Sequence, residues 1–254
     1  MEESGVRSLE ALRVERLSKD FGGVRALQDV SLSIRAGERR AIIGANGAGK
    51  STLINVINGE ITPTSGRVYI FGKDVTRVPV YGRVHLGVGR SCQINNLFPH
   101  ISVLDNVLLA LQATQRFRFQ MLRSISRYGD LFGKARELLT ARGLWEKRDC
   151  PVIDLSYGEQ RRLEIVLALS SAPKLLLLDE PTAGLSASET SDIIELVRSL
   201  EQDISLVLIS HNIDVIFSIA DRITMLHYGQ VIAEGAPEEI QANPKVKQIY
   251  LGHK

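Results

Sequence analysis

Gly44-Ala45-Asn46-Gly47-Ala48-Gly49-Lys50-Ser51 fits the pattern G-x-x-x-x-G-K-[ST], and its flanks decide the fold. Ahead of it Ala41-Ile42-Ile43 predicts a short buried strand. Behind it Leu53, Val56 and Ile57 fall at helical spacing, with Gly59 placed as a C-terminal cap. Strand, glycine loop and helix in this order form the context that a phosphate-binding loop requires. The glycines let successive backbone N–H groups turn inward toward phosphate oxygens, and the helix adds the positive end of its dipole. Lys50 would reach the β- and γ-phosphates and Ser51 would ligate Mg²⁺.

Downstream, the apolar run Lys174 to Leu178 ends in Asp179 and Glu180. Alone, a strand ending in two acids is commonly a solvated loop. Beside a phosphate loop it places Asp179 to hold Mg²⁺ through water and Glu180 to orient or deprotonate an attacking water. Between the two motifs, Leu155-Ser156-Tyr157-Gly158-Glu159-Gln160 precedes a helix with Leu163, Val166 and Leu167 on one face, and Ser156 with Glu159 reads as a capping box.

The rest of the pattern is alternating. Leu12 to Leu17 and Ala26 to Ile34, around Phe21-Gly22-Gly23, predict an antiparallel hairpin, and the turn Thr62 to Gly66 leads into a strand Arg67 to Phe71. Val103 to Arg142 is mainly helical in pattern. From Glu159 the order is helix to about Ser171, strand Leu175–Leu178, helix Ala187–Leu200, strand Leu206–Ile209, helix Ile213–Ala220, then strands around Ile223 and Val231. This predicts an α/β fold with a parallel sheet covered by helices and a helical insertion.

Composition sets the outer bounds. The chain has 254 residues, 44% apolar and 24% charged, which suits one globular domain and excludes disorder or a coiled coil. A net charge of +2 with 6% aromatics argues against a dedicated nucleic-acid binder. Apolar runs such as Val107 to Leu111 stop at five residues, far short of the roughly 20 that cross a bilayer. Met1 to Leu12 lacks the apolar centre of a signal peptide, so the chain is expected in the cytosol. Cys92 and Cys150 lack metal-site or C-x-x-C spacing and read as packing thiols.

Phosphate loop, Leu-Ser-x-Gly-Glu-Gln and strand with Asp-Glu, in that order and across nearly the whole chain, resemble the nucleotide-binding subunit of an ATP-binding cassette (ABC) transporter. The resemblance implies one domain over 1–254. Its P-loop NTPase core would carry a mainly parallel sheet, with an antiparallel β edge subdomain and a helical subdomain near 94–168. It implies ATP and Mg²⁺ as ligands, with Gly44, Asn46, Gly47, Ala48, Gly49, Lys50, Ser51 and Thr52 around the phosphates and Phe21 stacked on adenine. Ser51, Asp179 and Gln93 would serve the metal. Glu180, His211 and Gln93 would serve the attacking water and γ-phosphate. Ser156, Gly158 and Glu159 would complete the ATP site of a second ATPase subunit, identical or related. The same resemblance implies membrane-spanning subunits, an extracytoplasmic substrate-binding protein and a peripheral place on the cytoplasmic membrane face. Ile94 to Val107 would receive a short helix of the membrane subunit, with Leu97 and Phe98 as exposed apolar contacts; the alternative is that both are core residues of the helical subdomain.

Three positions depart from the family pattern. Ala45 replaces a proline, Tyr157 a glycine, and Ser186 an aspartate, leaving a helix cap but no charge for the dimer interface. Tyr157 with Arg161-Arg162-Leu163-Glu164-Ile165, Glu180 to Leu185, and the ending Ile249-Tyr250-Leu251-Gly252 look most like the ATPases of branched-chain amino acid importers and their amide or urea relatives. The ATPase of the lipopolysaccharide exporter shares much of that ending, and a soluble, non-transport ABC ATPase is the alternative from another class. Arg116, Arg118, Arg123 and Arg127, interleaved with Phe117 and Phe119, read as a solvated face or as a patch beside the membrane subunit or anionic lipid.

Overall fold

The computed structural model describes residues 10–91, 97–113 and 128–248. Gln93, Cys92, the basic stretch Arg116 to Arg127 and the ending Ile249 to Gly252 lie outside the described residues. In chain order the elements are β1 (Glu10–Phe21), β2 (Val24–Arg35), β3 (Arg39–Ile43), α1 (Lys50–Asn58), β4 (Ser65–Ile70), β5 (Lys73–Asp74), α2 (Val80–Val84) and β6 (Val88–Ser91). Then come α3 (Val103–Ala113), α4 (Tyr128–Ala141), α5 (Tyr157–Leu169), β7 (Leu175–Asp179), α6 (Ala187–Arg198), β8 (Ser205–Ile209), α7 (Ile213–Ile219), β9 (Arg222–His227), β10 (Gln230–Gly235), α8 (Pro237–Ala242) and α9 (Pro244–Val246).

Two sheets form. An antiparallel one runs β2-β1-β4-β5, and a six-stranded one runs β10-β9-β3-β8-β7-β6. In the second, every pairing is parallel except β9 with the edge strand β10. Central strands β7 and β8 are buried at every residue, which explains their unbroken apolar runs: both faces are covered. On one face α1, through Leu53, Ile54, Val56 and Ile57, joins the inner side of the antiparallel sheet in a single core. On the other face α5, α6 and α7 pack through Ile165, Ile193, Val197 and Val215. A third core, built from Val103, Val107, Leu139 and Leu163, holds the helical insertion together.

Within that third core lies a correction. Leu97, expected as an exposed contact, is buried there, whereas Phe98 is 58% exposed. Asn106, itself buried, explains the split: its Oδ1 accepts the Phe98 N–H at 2.9 Å and its Nδ2 donates to the Phe98 carbonyl at 3.1 Å. The backbone is pinned so that neighbouring side chains diverge.

Arg83 of α2 is fully buried and donates to the carbonyls of Val56 and Ile57 at the end of α1, and to those of Val75 and Val78. It thereby satisfies acceptors that a helix C-terminus leaves without partners. Among the described residues no helix is long and apolar enough to cross a membrane.

Candidate functional site

The site sits where parallel strands end. Beyond the carboxyl ends of β3, β7 and β8 lie, in turn, the glycine loop, Asp179 with Glu180, and Ser210 with His211. Two glycines make the loop possible. Gly49 has φ 102° and caps α1, and a Cβ there would stand 2.6 Å from the Ala26 carbonyl oxygen. A Cβ on Gly44 would stand 2.3 Å from the Leu226 carbonyl oxygen, so the loop lies tight against β9. Lys50 is buried, its Nζ donating to the carbonyls of Gly44 and Ala45 at 2.8 and 3.0 Å. Burial pushes its ammonium below the usual lysine value, against the opposing pull of Glu180 and Asp179.

Around this loop is a cavity of about 560 Å³. Asn46, Gly47, Ala48, Gly49, Lys50, Ser51 and Thr52 line it, together with Phe21, Asp179, Glu180 and His211. Gly44 braces the loop from behind. Phe21 stands at the rim, half exposed, with Lys19 Nζ 4.9 Å from its ring centroid.

Glu180 has φ 51°, a left-handed conformation that costs a non-glycine residue energy and that recurs at functional positions. Its N–H donates to the Ile209 carbonyl at 2.9 Å, locking the turn onto β8. Its Oε1 lies 3.0 Å from His211 Nε2, and its Oε2 accepts the His211 backbone N–H at 3.3 Å. Burial raises the Glu180 carboxyl above the ordinary range, with His211 pulling the other way.

Asp179 is buried. Its Oδ2 lies 3.6 Å from Arg90 Nη2, while its Oδ1 is buried and accepts no hydrogen bond. Burial raises this carboxyl too, opposed by the charges of Arg90 and Lys50. Among the described residues no cluster of three or more His, Cys, Asp or Glu side chains could cage a metal. An unpartnered carboxylate oxygen on the same wall as Ser51 fits a Mg²⁺ ion, which keeps its waters and binds through one or two protein oxygens plus substrate phosphates.

Ser156, Gly158 and Glu159 do not line this cavity. They form the first turn of α5, where the Ser156 side chain accepts the Glu159 N–H at 3.2 Å and Glu159 Oε2 accepts the Ser156 N–H at 2.9 Å. Lys147 Nζ holds the other carboxylate oxygen of Glu159 at 2.6 Å. Ser186 caps α6 through the same reciprocal device with Glu189, and Glu189 packs against Gly158, where an added Cβ would stand 2.6 Å from its Oε1. Tyr157, at the variant position, faces Gly184, where an added Cβ would stand 3.2 Å from its ring. Its Oη accepts from Arg161 at 2.6 and 3.1 Å. The start of α5 and the segment after β7 are thus tied together.

The sequence did not single out Val24, Arg25, Ala26 and Tyr228, which complete the cavity wall, nor Arg90, which touches Asp179. Tyr228-Gly229 carried a signal as a turn between two apolar strands. Arg90 carried none, because its partners are scattered along the chain.

A family model described as ABC transporter matches residues 27–183, and one described as branched-chain amino acid ATP-binding cassette transporter matches residues 230–254. A probable ABC transporter ATP-binding protein of Azorhizobium caulinodans is 38% identical over 93% of this chain and 81% of its own length. The high-affinity branched-chain amino acid transport ATP-binding protein LivG of Salmonella typhimurium is 35% identical over 95% of this chain and 97% of its own. The lipopolysaccharide export system ATP-binding protein LptB of Acidithiobacillus ferridurans is 33% identical over 96% and 97%. Among solved structures, the ADP conformation of an ATP-binding cassette of an ABC transporter superposes with a TM-score of 0.84 at 33% identity, covering 96% of this chain and 99% of that one. A dimeric cassette in a post-hydrolysis state with ADP and Pi superposes at 0.75 and 29% identity, covering 89% and 98%.

Proposed function

The chain belongs to the ATP-binding subunits of ABC transporters, and on that premise we propose that it hydrolyses ATP in a dimer of ATPase subunits to drive import of branched-chain amino acids or related small amides. The observation that carries the chemistry is the Glu180–His211 pair, 3.0 Å apart, on the wall of the cavity that also holds Lys50. Glu180 accepts the proton of the attacking water, and its buried setting strengthens it as a base. His211 fixes the Glu180 carboxylate and faces the γ-phosphate. Lys50 leaves the loop carbonyls for the β- and γ-phosphates, and the N–H groups of Gly47 to Ser51 surround the rest. Phe21 supports the adenine. Ser51, Asp179 and Gln93 would hold Mg²⁺, which neutralises charge on the β- and γ-phosphates when bound. Ser156, Gly158 and Glu159 serve the ATP of the partner subunit, in keeping with their place off their own cavity.

The match over residues 230–254 favours amino-acid import over lipopolysaccharide export, and the partners that follow are membrane-spanning subunits at the cytoplasmic face and an extracytoplasmic binding protein. Two experiments test this reading. Glu180→Gln keeps the shape and removes the base, so ATP turnover should fall roughly 10²- to 10⁴-fold while ATP still binds; unchanged turnover would move the base elsewhere. Purification of the intact membrane complex, followed by uptake of labelled leucine, valine and short amides into vesicles, tests the substrate. A complex that exports a lipid-linked sugar instead, or no membrane complex at all, would overturn the assignment.

A further inference from the structure

Resting on the reading of Asp179 as a Mg²⁺ ligand, we propose that Arg90 is a positioning residue for that metal: bonded to α1 and standing beside Asp179, it holds that carboxylate where the cation binds. Arg90 lies on β6, in register with Leu177 of the neighbouring β7, and its side chain is only 9% exposed. Nη1 stands 2.8 Å from Glu60 Oε1, Nη2 donates to Asn55 Oδ1 at 2.7 Å, and Nη2 stands 3.6 Å from Asp179 Oδ2. Asn55 belongs to α1, the helix that opens with Lys50 and Ser51, and Glu60 directly follows its Gly59 cap. One guanidinium therefore ties the strand that delivers Asp179 to the helix that delivers Ser51.

A planar fork holds Asn55 by a hydrogen bond and stands against two carboxylates at once; an ammonium is a point charge on a flexible stem. Asp179 Oδ1 is buried and accepts no hydrogen bond, so the orientation of the carboxylate rests on the Arg90 ion pair at its other oxygen. By charge alone a cation beside Asp179 weakens Mg²⁺ binding. The geometry must outweigh that repulsion, which gives the proposal a sign. Removing Arg90 should weaken the metal's grip, whereas mere proximity of charge would strengthen it.

The test measures the affinity of the full chain for a non-hydrolysable ATP analogue by calorimetry, in EDTA and in saturating Mg²⁺, and takes the ratio as the tightening due to metal. Arg90→Gln should lower that ratio by about tenfold, the cost typical of removing a group that orients a metal ligand, with the EDTA affinity held within about twofold. Arg90→Lys should also lower the ratio while melting closer to the wild type. A ratio that is unchanged or raised in Arg90→Gln overturns the proposal. If Arg90→Gln loses fold or EDTA affinity, Arg90→Lys decides, and wild-type tightening in that variant overturns it. Asp179→Asn separates the two layers. If that variant keeps full tightening, the metal-ligand reading itself fails; if it loses tightening while both Arg90 variants keep it, only the role of Arg90 fails.

Discussion

Lys50 and Glu180 line one cavity with opposite charge, and burial penalises both charged forms. The Lys50 ammonium is favoured by Glu180 and Asp179 and the Glu180 carboxylate chiefly by His211, so a triphosphate entering the loop meets a lysine already stripped of water. A charge-assisted phosphate contact contributes about 1.5–3 kcal/mol. Lys50→Ala should therefore raise the ATP dissociation constant by one to two orders of magnitude, measured by equilibrium titration. The raised carboxyl of Glu180 sets a pH dependence with a definite sign. A base works only when deprotonated, so turnover at saturating ATP should fall as pH drops through the Glu180 value, and this acid limb should lie above the ordinary glutamate range of about 4.3. A kcat–pH profile should show it. Asp179, Glu180 and the glycine loop were legible from sequence because each is a local pattern at the end of an apolar strand. Phe21 and His211 were legible only through the order of motifs. Arg90 was not legible, since Asn55, Glu60 and Asp179 come together only when β6 joins the sheet beside β7.

Elements differ in how much of themselves they announce. Strands β3, β7 and β8 are covered on both faces and read as apolar runs, and helix α5 begins at Tyr157 because Ser156 caps it. Strand β6, Val88-Gly89-Arg90-Ser91, has one large apolar residue and is a strand because β7 offers it an edge; two-residue β5 likewise exists only by pairing with β4. The same limit governs the segment before α3. Periodicity could not assign Leu97 and Phe98 to opposite sides, because the cause is Asn106, eight residues beyond Phe98, gripping the backbone. Consequently the two positions should respond differently to one substitution. Leu97→Glu buries a carboxylate in the helical insertion and should lower its thermal stability markedly. Phe98→Glu should leave the melting temperature near wild type, since Phe98 is exposed, and on the proposed reading should impair assembly with the membrane subunits. Melting curves and copurification, run on both variants, check the pair; a stable Leu97→Glu protein would contradict the burial.

At the scale of the molecule, the phosphate loop and the first turn of α5 belong to different cores. The loop rests on the core shared by the two sheets, and α5 spans from the outer face of the parallel sheet into the helical insertion. On the proposed reading a single copy presents two half-sites, one offering Lys50 and one offering Ser156. Two copies facing head to tail would make two whole sites, each drawing its halves from different chains. That geometry has a consequence no single-chain site could mimic. Ser156→Arg blocks only the α5 half, with loss of the cap costing about 1 kcal/mol of helix stability, and Lys50→Ala damages only the loop half. Each variant alone should form dimers or monomers without competent sites and show little hydrolysis. Mixed, the two chains should yield one site with both defects and one with neither, so that activity rises with the population of mixed dimers toward the level set by a single intact site. The assay titrates one variant with the other at constant total protein and follows phosphate release. If the natural dimer pairs this chain with a related ATPase, the substitutions are placed one in each native partner. An optimum near equal proportions follows from shared sites. Hydrolysis by the isolated Ser156→Arg chain, or a mixture no more active than its components, would mean that each copy acts alone.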